Sequence, residues 1–184
     1  WPEDPQFEKA LAGGVTTLQI LPGSGNLIGG RGVTLKNIPA LTVQGMKFPD
    51  APYSLKMACG ENPKGYYGSL GMLPSTRMGN MAGYRAAWIE ATDYKKSWDD
   101  YIASANADEE VDPPTRDLGL ETLAGVLEGD IRIHNHCYKV DEMAQMIDMS
   151  KEFGYSIAAF HHAVEGYKAA PMLAKENICA VMWA

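Results

Sequence analysis

All four histidines of this chain fall in two short clusters, Ile131-Arg-Ile-His-Asn-His-Cys137 and Phe160-His161-His162, each closing an apolar run. In a β-strand alternate side chains share a face, so His134 and His136 point one way and Ile131 and Ile133 the other. Neutral imidazole is the commonest metal ligand in proteins, and two at a strand end suit Zn²⁺ or a similar divalent ion. A His-x-His by itself is as readily a hydrogen-bonded surface pair. The second cluster, one helix further on, is what favours a shared site. His134 is deeper in its strand and better placed for a central metal, whereas His136 lies nearer the rim, where it could touch substrate. His161 and His162 are adjacent, so an extended strand turns only one of them toward the site.

Other residues ask for an explanation. Lys56 sits inside the apolar Leu55-Lys56-Met57, where a buried ammonium is costly unless paired or chemically altered. The alternative is a stem that snorkels to an exposed strand end. Glu61, just past this strand, could pair with Lys56, reach a metal or cap the next turn. Cys59, Cys137 and Cys179 make an odd count with no Cys-x-x-Cys spacing, and read as free, mostly buried thiols. No Gly-x-Ser-x-Gly elbow is present and no Cys-His pair is marked out, which disfavours a serine or cysteine hydrolase. Pro22-Gly-Ser-Gly-Asn26 and Gly29-Gly30-Arg31-Gly32 read as a loop able to cradle an anion. It lacks the Gly-Lys-Ser/Thr ending of a P-loop and leads into no helix, so a tight structural loop near a ligand is the better reading.

The elements that must position these groups follow from periodicity. Asp4 caps a helix to about Leu11, and Val15–Leu21 reads as a strand. Ala40–Phe48 reads as a second strand or hairpin arm, Ser54–Ala58 as a third, and Gly60-Glu-Asn-Pro63 as a chain break. Apolar residues at helical spacing from Gly79 to Ala107 predict a long amphipathic helix, followed by an acidic loop at 108–114. Helix Thr115–Leu127, strand Ile131–His136, helix Asp141–Phe153, strand Tyr155–Phe160, helix Glu165–Glu176 and strand Ile178–Trp183 then alternate. That rhythm implies βαβ units and a parallel sheet, either open and doubly wound or part of a barrel.

Composition limits the choices. At 184 residues and 46% hydrophobic, the chain is long enough to bury one good core. A net charge of −7 argues against nucleic acid, because nothing would neutralise a phosphate backbone. Lys95-Lys96 faces Asp99 and Asp100 at helical spacing, a solvated helix face. No apolar stretch approaches the roughly 20 residues of a membrane span, and no signal peptide is visible. The chain begins with Trp1 rather than Met, so its true start is expected upstream, and its compartment stays unassigned.

Gly14-Val-Thr-Thr17, Leu21-Pro-Gly-Ser-Gly-Asn-Leu-Ile-Gly-Gly30, Leu55-Lys-Met-Ala-Cys-Gly-Glu-Asn-Pro-Lys64, Arg132-Ile-His-Asn-His136 and His162-Ala-Val-Glu-Gly-Tyr-Lys168 occur in this order. Together they resemble the metal-dependent amidohydrolases, nearest the imidazolonepropionase-like and prolidase-like branch. The resemblance implies a (β/α)₈ barrel of TIM type, incomplete here, with residues 1–184 as a single partial barrel domain covering about strands two to seven. It implies a divalent metal, zinc by preference, with His134, His162 and Lys56 (carboxylated) as ligands and Glu61 as a less favoured substitute for Lys56. His136 and Glu61 are the substrate-binding candidates. The family's first His-x-His and its eighth-strand aspartate, the general base, have no counterpart here, so no catalytic residue is assigned. The implied reaction is hydrolysis of an amide C–N bond in a peptide or cyclic amide, with little turnover by this chain alone. The alternative is a non-catalytic α/β fragment or binding domain with a weak partial metal site. Two open sheet edges lead us to expect a homo-oligomer or association with the missing strands.

Overall fold

The computed structural model describes residues 1–107 and 109–182. Its first helix, α1 (Pro5–Ala12), begins where the Asp4 side chain accepts from the Gln6 N–H and Pro5 supplies a pre-set φ. Strands β1 (Thr17–Ile20) and β2 (Ile28–Lys36) follow, then a short helix α2 (Val43–Met46) and strand β3 (Tyr53–Ala58). Helices α3 (Glu61–Ser69), α4 (Arg77–Asn106) and α5 (Leu118–Leu127) separate β3 from β4 (Ile131–Cys137). The chain then alternates through α6 (Val140–Phe153), β5 (Ile157–His162), α7 (Gly166–Lys175) and β6 (Cys179–Met182).

The six strands form one sheet in sequence order, curled like half a barrel wall. β3 to β6 are mutually parallel, whereas β1, β2 and β3 pair antiparallel. The βα alternation read from sequence therefore holds for β3 onward, and β1 and β2 are a hairpin-like extension of the wall.

Three early expectations are corrected. The glycine-rich stretch is largely strand: Gly29 to Gly32 lie within β2. At Gly32 a Cβ would sit 2.5 Å from Ser54 Oγ and 2.7 Å from the Ile20 carbonyl, so β2 can pack there only without a side chain. Gly30, with φ +113°, follows the register shift in the β2–β3 ladder. Residues 40–48, expected as a strand, form α2 and turns, with one isolated bridge from Lys47 to Leu35. The Gly60–Pro63 break is instead the start of α3. Pro63 falls in its first turn, where a missing N–H leaves no helical bond unmade.

The core lies between the sheet and its helices. Leu55, Met57 and Ile133 from the strands meet Tyr84 and Trp88 of α4 and Met143, Met146 and Ile147 of α6. The Trp88 ring stacks on Tyr155 at 4.3 Å. α6 stops at Gly154, whose φ of 78° suits glycine.

The cysteines also depart from expectation. Cys59 and Cys137 are joined by a disulfide, with Cα atoms 5.5 Å apart. Ala58 pairs with His136 across the parallel β3–β4 ladder, and the Cys59 N–H donates to the His136 carbonyl, so the next residues of the two strands are neighbours. Cys179 is a free, exposed thiol. Among the described residues no helix is long and apolar enough to cross a membrane.

Candidate functional site

The side chains that could do chemistry gather toward the C-terminal ends of β3, β4 and β5, where Lys56 and His134 alternate with the core residues Leu55, Met57 and Ile133. Lys56 is 5% exposed. Its ammonium donates to the Pro22 carbonyl at 3.2 Å and to Ser24 Oγ at 2.8 Å. The Pro22–Asn26 loop thus offers acceptors to a cation, not N–H groups to an anion. Burial lowers the Lys56 pKa.

The histidines form two ring pairs. His134 Nδ1 lies 2.8 Å from His161 Nε2, and His134 Nε2 lies 3.1 Å from the side-chain amide of Gln19. His136 packs edge-on against His162, ring centroids 4.7 Å apart, with Tyr138 4.4 Å away on His136. His134 and His162, the expected ligands, each have a histidine partner, but different ones. Both residues of the 161–162 pair reach the cluster, which an extended strand would not allow. His162 has φ +67° and Ala163 φ +23°, so the chain leaves the strand conformation there and swings the second ring around.

All four imidazoles are held neutral at pH 7. Burial, then the charges of neighbouring histidines and of Lys56, brings His136 and His161 down to about 4. His134 and His162 are lowered by burial and by Lys56. His136 is 2% exposed and neither of its ring nitrogens has a hydrogen-bond partner. Buried polar groups are rarely left so.

The rim around these strand ends is braced by residues that sequence reading missed. Asn80 of α4 donates to the carbonyls of Cys59 and Gly60 at 3.2 and 2.8 Å, and the Tyr84 hydroxyl donates to that of Ala58. Glu142 of α6, 3% exposed, accepts from Arg77 Nε at 2.6 Å. Glu165 accepts from the Val140 N–H at 3.0 Å and from Lys168 at 2.9 Å, tying the loop after β5 to the start of α6. None of these carries a local signal beyond being polar. Glu61 is exposed in the first turn of α3, where it adds to the negative field on Arg77.

The donor chemistry suits a divalent cation, since neutral imidazoles with open nitrogens are what such an ion binds. The geometry supplies only part of a shell: among the described residues no three His, Cys, Asp or Glu side chains converge to hold an ion.

The chain is 36% identical over 182 residues to the amidohydrolase tasK of Hapsidospora irregularis, a match spanning 91% of this chain. It superimposes on the crystal structure of an amidohydrolase from Thermotoga maritima MSB8 with TM-score 0.87 and 35% identity, over 99% of this chain. Over nearly its whole length the chain is similar to part of two proteins named amidohydrolase. It spans 18% of the length of the first and 45% of the second, so neither is matched as a whole. No protein-family model matches it.

Proposed function

We propose that this chain forms part of a metal-dependent hydrolase of amide C–N bonds, on a (β/α)₈-type barrel of which its sheet makes roughly half. The imidazolonepropionase-like and prolidase-like branch is the favoured one, with a peptide or cyclic amide as substrate. The observation that supports this reading is the gathering of four imidazoles, in two ring pairs, with Lys56 toward the strand ends of one sheet.

His134, His162 and Lys56 are the proposed ligands, with His136, whose ring His162 already meets, as a further donor. His134 enters such a shell only by releasing Gln19 or His161. A divalent ion there, zinc by its donor preference, would act as Lewis acid on the scissile carbonyl and acidify water. Carboxylation of Lys56 would turn an awkward buried ammonium into an anionic ligand. Glu61, exposed at the start of α3, suits substrate contact, whereas His136 is 2% exposed and not at the open rim expected of it. The general base implied by the family is assigned to no residue of this chain. The exposed edge strand β6 and the outer strand β1 favour assembly with a second copy or with further barrel strands.

A second reading, a non-catalytic α/β unit with a weak partial metal site, draws on the incomplete shell. Titration of the 184-residue chain with Co²⁺ separates the two. The amidohydrolase reading expects a visible ligand-field band that is lost in His136→Ala and in His162→Ala. Absence of any such band in the unaltered chain would reject the metal site. Turnover of dipeptides and lactams by the chain alone is expected to be poor or absent. Metal-dependent turnover abolished by His134→Ala would overturn that expectation.

A further inference from the structure

His162 and Ala163 carry φ angles of +67° and +23°, a region that residues with a Cβ rarely adopt. Such a turn persists only where its surroundings hold it. Left alone it would relax toward extended strand, and the His162 ring would then face away from that of His161. The hold must come from outside the two residues.

Glu165 supplies it. Its N–H donates to the Tyr138 carbonyl at 3.0 Å, and its Oε2 accepts from the Val140 N–H at 3.0 Å. Backbone and side chain thus grip the same short connection between β4 and α6. The Val140 N–H is one of the first of α6, and Lys139 just before it makes no side-chain capping bond. The Glu165 carboxylate takes the place of a cap from another loop. Its other oxygen, Oε1, accepts from Lys168 at 2.9 Å and lies 3.7 Å from Lys139 Nζ, which fixes the side chain in that pose. On the near side, the Gly166 N–H closes the turn by donating to the Ala163 carbonyl at 2.7 Å. The gripped connection carries Tyr138, whose ring lies 4.4 Å from that of His136 and 6.3 Å from that of His162.

We propose that Glu165 is a positioning residue for His162: by capping α6 from the loop after β5 it holds the left-handed turn at 162–163, and that turn keeps the His162 ring beside His136. This placement stands on geometry alone, whereas its consequence for a metal ion rests on the metal-site reading above. Glu165→Ala removes the acceptor and lets the turn relax. Glu165→Asp keeps the charge but falls a methylene short of Val140. Glu165→Gln keeps an oxygen for the Val140 N–H and gives up only the charge. Ala163→Gly, added to Glu165→Ala, lets residue 163 take its positive φ without strain, so the turn forms again without the grip.

The test is the ring-to-ring nuclear Overhauser effect between His136 and His162 in the full 184-residue chain at pH 7.5 with chelator present. It is expected in the unaltered chain and in Glu165→Gln, lost in Glu165→Ala and Glu165→Asp, and regained in the Glu165→Ala, Ala163→Gly double variant. A residue that served only general stability would lower the Tm of Glu165→Ala with the ring contact intact, and that result would overturn the proposal. So would loss of the contact in Glu165→Gln, or its absence from the double variant. Glu165→Asp decides the matter where Glu165→Ala does not fold. A Co²⁺ titration reads the ligand consequence: Glu165→Ala and Glu165→Asp should bind about tenfold more weakly, as when a ligand loses its supporting partner, and Glu165→Gln nearly as before. Unchanged affinity in a variant that has lost the ring contact would refute that consequence. Failure of Co²⁺ to bind the unaltered chain falls on the metal reading alone, since the ring contact is read without metal.

Discussion

The carboxylate of Glu142 lies directly over Gly60, so close that a Cβ on residue 60 would meet its oxygens at 2.2 and 2.3 Å. Gly60→Ala must push Glu142 off Arg77 or move the start of α3. We expect a loss of about 1–3 kcal/mol, as for other overpacked sites. In a Glu142→Ala background the same substitution should cost far less, because the obstacle is gone. Equal costs in both backgrounds, by urea denaturation, would show that the contact is not the cause.

The disulfide between Cys59 and Cys137 leaves Cys179 as the free thiol. Reaction with a thiol reagent in denaturant, without reductant, should count one thiol per chain. Closing a loop across a sequence separation of 78 residues stabilises by up to about 4 kcal/mol in the chain-entropy picture. Reduction should therefore lower the Tm clearly, and Cys179→Ser should not. A count of three thiols would remove the crosslink.

Acid should weaken the fold in two successive windows. His136 and His161 are held at about 4 in the folded chain against an ordinary 6.5, so the unfolded chain takes up protons first. Above pH 6.5 these rings are neutral folded or unfolded, and as pH falls from there toward 4 protonation of the unfolded chain costs the fold stability. Glu165 is held at about 2 against 4.5, chiefly by Lys168 and by the Val140 N–H. Its contribution is full above pH 4.5 and is lost between there and pH 2. Tm measured against pH should show the upper loss shrink in His136→Phe and the lower one shrink in Glu165→Gln. Added salt should reduce the Glu165 effect more, since that carboxylate is solvent-screened. Identical profiles in all three proteins would contradict these assignments.

His136 is the opposite of a stabilising residue. Two buried ring nitrogens without partners carry a desolvation cost of about 1–3 kcal/mol each at most. His136→Phe keeps the ring volume roughly and removes both. At pH 7.5 it should leave the metal-free chain as stable as before or more so, while abolishing Co²⁺ uptake. A marked fall in metal-free stability would mean that His136 serves the fold, not a ligand.

The sequence by itself determined the helices and strands from α4 onward, because hydrophobic spacing and stops such as Gly154 act within a few residues of where they are read. It also singled out His134, His136, His161, His162 and Lys56 as candidates, since histidines closing apolar strands announce themselves. It misread β2, where glycine is used for close approach to Ser54 and Ile20 rather than for a turn.

Only the tertiary structure decided which of these groups meet. Gln19 reaches His134 across 115 residues because the sheet curls, and Cys59 reaches Cys137 because two parallel strands end in register. His162 joins the cluster because its backbone turns to positive φ one residue after His161. Spacing along a chain reports which face a side chain takes on its own element. Register, curvature and a single backbone turn set the distances between elements, and no local pattern encodes them.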